Sequence, residues 1–272
     1  MSSNPVQNGS AGRRVVLVTG ASSGIGAATA LRFAAAGDIV YGLSRHPAEL
    51  PGVLPLAADV TDEAQVMAAV AEIVAAQGRV DVLVNNAGFG ISGAVEFTEL
   101  EEAGRQFDVN LFGMARCIRA ALPHMREAKS GLIINVSSVA GALPIPFQAY
   151  YSAAKAAVNA LTLTLQNELR PHGVRVAALL PGDVKTGFTA ARRKNPAGAA
   201  LYPALLRSVS AMERDEQNGM PPRRIAERLY AISKKKRPKG LYSCGLQYQF
   251  FLFLGKVLPV RLYNWIIGKL YA

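Results

Sequence analysis

Only two cysteines, Cys117 and Cys244, occur in 272 residues, far apart and outside any CxxC or Cys/His pattern. That scarcity excludes a disulfide scaffold and a zinc site built on thiolates. The three histidines, His46, His124 and His172, are scattered, and none stands at a metal-ligand spacing from another, so no metal is expected. Long apolar runs are missing too: the unbroken tail run 250–254 falls far short of the ~20 residues that span a bilayer. No Gly/Ser linker and no repeat interrupts the chain, so one domain is expected from about Arg13 onward. The polar first dozen residues, 1–12, read as a disordered N-terminus without a secretory signal. A cytoplasmic location follows as the expectation.

Acidic residues are scarce in one part only. Residues 1–190 carry 14 Lys and Arg against 15 Asp and Glu, whereas residues 191–272 carry 16 against 4. A basic tail on a neutral body fits an anionic surface better than nucleic acid, because the Lys234–Arg237 run comes with no reading helix and no stacking platform. Half of all residues are hydrophobic and 18% are charged, enough for a substantial core.

What is present is an alternation. "RRVVLVTG" (13–20), "DIVYGLS" (38–44), "VLPLAADV" (53–60), "VDVLVNNAG" (80–88), "GLIINVSS" (131–138) and "GVRVAALLPG" (173–182) are apolar runs without a period of two. Between them lie Ala-rich stretches that read as helices, one capped by Thr61 and closed by Gly78 and one contained within 100–127. Buried strands alternating with helices predict an α/β, Rossmann-type doubly wound parallel sheet.

Two stretches carry chemistry. In "TGASSGIG", Gly20, Gly24 and Gly26 fall at the first strand-to-helix turn, where glycine lets backbone N–H groups approach a pyrophosphate. In "QAYYSAAKAAV" (148–158), Tyr151 and Lys155 share a helix face at i and i+4, and a fixed ammonium lowers a phenol's pKa. Tyr150 has only Ala154 at that spacing.

TGASSGIG, NNAG (85–88), NVSS (135–138), YSAAK (151–155) and Pro181-Gly182 follow one another as in the short-chain dehydrogenase/reductase family, which this chain resembles over roughly residues 13–190. The resemblance implies a catalytic tetrad of Asn110, Ser138, Tyr151 and Lys155. Ser138, thirteen residues before Tyr151 and with Ser137 beside it as the structural alternative, would hold the carbonyl oxygen, and Tyr151 would exchange its proton. Lys155 would lower the Tyr151 pKa and reach the nicotinamide ribose, and Asn110 would hold a relay water. It also implies cofactor contacts at Gly20, Ser22, Ser23, Gly24, Ile25, Gly26, Asp59, Val60, Asn86, Ala87, Gly88, Pro181, Gly182, Val184 and Thr186, besides Tyr151 and Lys155. An N-cap role is the plainer alternative around Asp59.

The end of the second strand offers Ser44 and Arg45 but no carboxylate, since Asp38 comes too early, which points to NADP(H). The resemblance then implies an oxidoreductase acting between NADP(H) and a ketone or secondary alcohol. Hydroxysteroid dehydrogenases and acyl-dihydroxyacetone-phosphate reductases are the similar branches. The substrate is expected to be bulky and hydrophobic: a steroid, a retinoid or an acyl-chain ketone. A non-catalytic NADP-sensing or scaffolding member, or a C=C or imine reductase, is the alternative.

The catalytic domain is expected over 13–245, with a substrate lid at 188–240 and an apolar extension at 246–272. On that extension Leu262, Trp265, Ile266 and Leu270 would share a face that packs on the body or on a second subunit. Peripheral membrane contact is the alternative. The family resemblance implies a homodimer or homotetramer.

Overall fold

The computed structural model describes residues 12–271, and the expected disorder of 1–12 lies, apart from Gly12, outside them. The six apolar runs become β1 (Val15–Thr19), β2 (Ile39–Ser44), β3 (Val53–Ala57), β4 (Val82–Asn85), β5 (Gly131–Val136) and β6 (Val174–Pro181), and Leu241–Cys244 adds β7. They pair in parallel in the order β3-β2-β1-β4-β5-β6-β7. Every residue of β1, β4 and β5 is buried, as strands covered on both faces require. β3 and β7 are the edge strands, and Pro55 lies on β3, where a missing N–H is tolerated. The winding reverses between β1 and β4, which opens a crevice at the carboxyl ends of the strands.

The helices are α1 (Gly24–Ala34), α2 (Glu63–Gln77), α3 (Leu100–Phe107), α4 (Met114–Glu127), α5 (Ala149–Glu168), α6 (Phe188–Ala191), α7 (Ala204–Gln217), α8 (Pro222–Ser233), α9 (Leu246–Val257) and α10 (Val260–Tyr271). Leu17, Leu43, Val66, Ile118 and Val158 fill the core on the α2, α4 and α5 side. Phe33, Val40, Ile134, Ile225 and Leu229 fill it on the α1 and α8 side. A third cluster sits under the last two helices, where Tyr248, Tyr263 and Ile267 meet Val139, Leu143 and Leu180.

Three local expectations are corrected. The N-cap of α2 is Asp62, not Thr61: its carboxylate accepts from Gln65 N at 3.0 Å, while Thr61 Oγ1 donates to Asp59 at 2.8 Å. A carboxylate both satisfies the open N–H and suits the positive end of the helix dipole. The helix expected within 100–127 is divided by a π-turn, Asp108–Gly113, between α3 and α4.

On α10, Tyr263 and Ile267 are the buried residues, whereas Leu262, Trp265 and Leu270 are 44%, 61% and 52% exposed. The expected face is thus turned outward. Tyr263 sets this rotation: its ring lies against Gly255 of α9, and its hydroxyl donates to Phe251 O at 3.3 Å.

Candidate active site

The glycine turn is held from two directions. Gly20 and Gly24 have φ of 65° and 56°, conformations that side chains resist. A Cβ on Gly26 would lie 2.1 Å from Gly20 O, so the first turn of α1 can pass this closely only without a side chain. Asn86 clamps the turn to β4: its Nδ2 donates to Thr19 O at 3.0 Å, and its backbone N donates to Thr19 Oγ1 at 2.9 Å. Ala87 N reaches the same hydroxyl at 3.1 Å.

The start of α1 fits an anion. Ser23 occupies the N-cap in extended conformation without a side-chain cap bond, and no acidic residue stands in the first turn. The helix therefore presents open N–H groups and its positive dipole end to the cleft, with Ser22, Ser23 and Ile25 on the wall. At the end of β2, Ser44 Oγ is buried with no hydrogen-bond partner, and exposed Arg45 follows it. Both line the cleft, as do Asp59, Val60, Ala87 and Gly88. Asp38, at the opposite end of the strand, is paired with Arg14 at 2.6 Å. A pyrophosphate at α1 and a further phosphate at Ser44 and Arg45 match the donors that face this cavity of about 760 Å³.

The four tetrad candidates come from separate elements. Ser138 follows β5, and its Oγ accepts from Ala140 N at 3.1 Å. Tyr151 and Lys155 stand one turn apart on α5. Asn110 lies in the π-turn, fully buried, where Oδ1 accepts from Phe89 N at 3.0 Å and Nδ2 donates to Phe89 O at 2.9 Å. Both ends of this amide thus fix the Gly88–Phe89 turn beside Lys155. Ser138, Tyr151 and Lys155 line the cleft. Ser137 Oγ donates instead to Lys155 O at 3.1 Å, which gives it a structural part.

The electrostatics differ from the sequence expectation. Burial pushes the Tyr151 phenol up to about 12, against the pull of the Ser138 hydroxyl that hydrogen-bonds to it. The carboxylates of Glu216 and Asp183 push in the same direction as burial, and Arg192 opposes them. Lys155 does not outweigh this. Its own ammonium is disfavoured by burial, which lowers its pKa to about 8, and Nζ donates to Val136 O at 2.9 Å. A phenol held this high keeps its proton at neutral pH, which suits a proton donor.

Several cleft residues escaped the sequence reading. Asp183 directly follows Pro181-Gly182; its N donates to Tyr248 Oη at 3.1 Å, and the Tyr248 hydroxyl donates to its carboxylate. Glu216 of α7 accepts from Thr189 Oγ1 at 2.7 Å and pairs with buried Arg192. The Phe188 ring lies 5.8 Å from that of Tyr151, and Tyr271 reaches the cleft from the last turn of α10. From the region 188–240, the wall takes Phe188, Ala191, Arg193, Met212 and Glu216, all before residue 217. α8 is instead a sheet-covering helix, with Ile225, Leu229 and Ile232 fully buried. Thr186 sits against Gly24 and accepts from Phe188 N at 3.1 Å. Val184 is buried, bridged to Met220.

Residues 14–197 match the family model described as short chain dehydrogenase. The chain belongs to the short-chain dehydrogenase family. It is therefore an oxidoreductase acting on C=O and CH–OH groups, and the family uses nicotinamide cofactors. A 3-ketodihydrosphingosine reductase of Bacteroides thetaiotaomicron is 42% identical over 95% of this chain and 98% of its own length. Among solved structures, a short-chain dehydrogenase from Streptomyces avermitilis is 33% identical, covering 96% of this chain and 98% of that one, with a TM-score of 0.82. The 3-ketoacyl-(acyl-carrier-protein) reductase of Brucella melitensis, solved with NADH, is 31% identical over 86% of this chain and 96% of its own, with a TM-score of 0.72. Other structural neighbours of this short-chain dehydrogenase were solved with NADP or with NAD. Among the described residues no helix is long and apolar enough to cross a membrane, and no group of three or more metal-ligating side chains occurs.

Proposed function

We propose that this short-chain dehydrogenase is an NADP(H)-dependent reductase of a long-chain acyl ketone. The observation that carries the reading is the placing of Tyr151, hydrogen-bonded to Ser138, in one cleft with the end of β2, which offers Ser44 Oγ and Arg45 and no carboxylate of its own. A bound nicotinamide supplies the hydride. The chain's own residues handle the oxygen: Ser138 Oγ donates to the carbonyl as negative charge develops on it, and Tyr151 Oη delivers the proton. Lys155 Nζ, anchored on Val136 O, would hold the cofactor ribose and return a proton to Tyr151. Asn110 acts by holding the turn at Phe89 and a relay water.

For the cofactor, the guanidinium of Arg45 matches a 2′-phosphate, and a buried serine hydroxyl without a partner is satisfied by the same group. Gly20, Ser22, Ser23, Gly24, Ile25 and Gly26 would hold the pyrophosphate. Asp59, Val60, Asn86, Ala87 and Gly88 would line the adenosine side, and Pro181, Gly182, Val184 and Thr186 the nicotinamide side.

Of the three lipophilic classes expected from the sequence, an acyl-chain ketone has the best support. Phe188, Met212 and Ile145 give the cleft apolar wall, and the 42%-identical relative is a 3-ketodihydrosphingosine reductase. α6 and α7 act as the lid. The enzyme works as a homodimer or homotetramer, and its tail makes a peripheral membrane contact.

Turnover of 3-ketodihydrosphingosine, a 3-keto steroid and a retinoid ketone with NADPH and with NADH tests the reading. It predicts that the long-chain ketone is reduced at the highest kcat/KM and that NADPH is preferred. Preference for NADH would overturn the cofactor assignment, and preference for the steroid would overturn the substrate assignment.

A further inference from the structure

The last two helices have two unlike sides. On the inner side Tyr248, Tyr263 and Ile267 are buried against Val139, Leu143 and Leu180, directly behind Ser138 and Pro181. On the outer side α9 leaves Leu246, Phe250, Phe253 and Val257 exposed, by 56–82%, at positions i, i+4, i+7 and i+11, which form one continuous helical stripe. α10 leaves Val260, Leu262, Trp265 and Leu270 exposed beside it in sequence. Large apolar side chains in this density on one helix pair mark a surface built for contact.

The charges on the same helices identify the partner. After Glu227 the chain contains nine Lys and Arg and no Asp or Glu. Lys256, Arg261 and Lys269 on the two helices are exposed, as are Lys234, Lys235, Lys236 and Arg237 before them. On α7, which packs against α10, Glu213 is paired with Lys194 and Glu216 with Arg192. Of the other acids, Asp183 and exposed Asp215 both act on Tyr271, at the far end of α10. Apolar side chains whose only charged companions on the two helices are cations complement an anionic lipid headgroup layer over an acyl interior, the surface that interfacial amphipathic helices bind. Neither helix is long and apolar enough to cross it. A second copy of the chain would instead set these cations against their own kind.

We propose that the outer face of the α9–α10 pair is a docking surface for anionic bilayers, with Phe250, Phe253 and Trp265 entering the interface and Lys256, Arg261 and Lys269 meeting the headgroups. The proposal deepens the membrane contact of the functional reading and depends on no turnover, so the two fail separately.

Trp265 is the single tryptophan of the chain, and it serves as the probe. Titrating the full chain with phosphatidylcholine vesicles containing phosphatidylglycerol should shift its emission to the blue. Pure phosphatidylcholine should do so far more weakly, and added salt should reverse the shift. Phe250→Asp with Phe253→Asp should abolish the shift. Replacing Lys256, Arg261 and Lys269 together by Gln should weaken vesicle partition roughly a hundredfold. All of these positions are exposed, so the variants should keep the wild-type circular dichroism and melting temperature.

Emission unmoved by anionic vesicles at low salt, with no protein floating alongside them, would overturn the proposal. So would a blue shift that grows with protein concentration in the absence of lipid, accompanied by a doubling of mass in sedimentation. That result would give this face to a second copy.

Discussion

The Tyr248 ring lies so close to Gly182 that a Cβ there would fall 2.0 Å from the ring, while its hydroxyl is bonded to both the N–H and the carboxylate of Asp183. A residue of the C-terminal extension thereby holds the segment that follows β6 against the cleft. Burial and the neighbouring carboxylates raise the Asp183 pKa, and the Tyr248 hydrogen bond lowers it again. Tyr248→Phe would leave this half-buried carboxylate without its donor, at a cost of about 1–3 kcal/mol. Denaturant unfolding should show that loss, together with a raised KM for the cofactor. An unchanged unfolding midpoint would mean that the bond contributes nothing.

Lys155 gives a stability signature in pH. In the folded chain burial lowers its pKa from 10.5 to about 8. Below about 8 the folded state therefore carries the full penalty of a buried ammonium, on the order of 3 kcal/mol. Between about 8 and 10.5 the unfolded chain binds more protons than the folded one, so stability rises with pH across that window. Lys155→Met removes the titrating group, and its stability curve should lack that rise. Parallel curves for wild type and variant would show that Lys155 is not depressed.

The cofactor assignment rests on Arg45. Arg45→Ala should raise the KM for NADPH about tenfold to a hundredfold, the range for losing charge-assisted hydrogen bonds, and leave the KM for NADH unchanged. Steady-state kinetics with both cofactors checks it. Equal effects on the two would assign Arg45 a general role in folding or solubility.

Much of this was legible in the residues because the strands and the glycine turn are local. Apolar runs marked β1 to β6 of the parallel sheet, whereas Leu241–Cys244 has no β-branched residue to mark it, and the i, i+4 pair on α5 marked Tyr151 over Tyr150. The π-turn at Asp108–Gly113 was not legible, since inserting a residue in a helix leaves the apolar pattern nearly intact. Nor was the rotation of α10. Leu262, Trp265, Ile266 and Leu270 do share a face, but Tyr263 and Ile267 share another, and only the contact with Gly255 decides which one is buried.

The electrostatics of Tyr151 depend first on its burial and then on Ser138, Glu216 and Arg192, the last two brought in from far along the chain by α7 and the end of α6. Asp183 was the exception among the missed residues, because its place directly after Pro181-Gly182 could have marked it. Tyr248 had no such signal: it is one aromatic among several in an apolar tail.

The central claim is that Tyr151 protonates the reduced carbonyl, and the most direct measurement pairs turnover with binding in Tyr151→Phe. The ring and its 5.8 Å packing on Phe188 stay, and only the hydroxyl goes. The account predicts that NADPH consumption with 3-ketodihydrosphingosine falls at least 10²–10⁴-fold, the span of general acid catalysis, while NADPH binds as tightly as to wild type. Turnover by the phenylalanine variant within a few-fold of wild type, with binding intact, would contradict it.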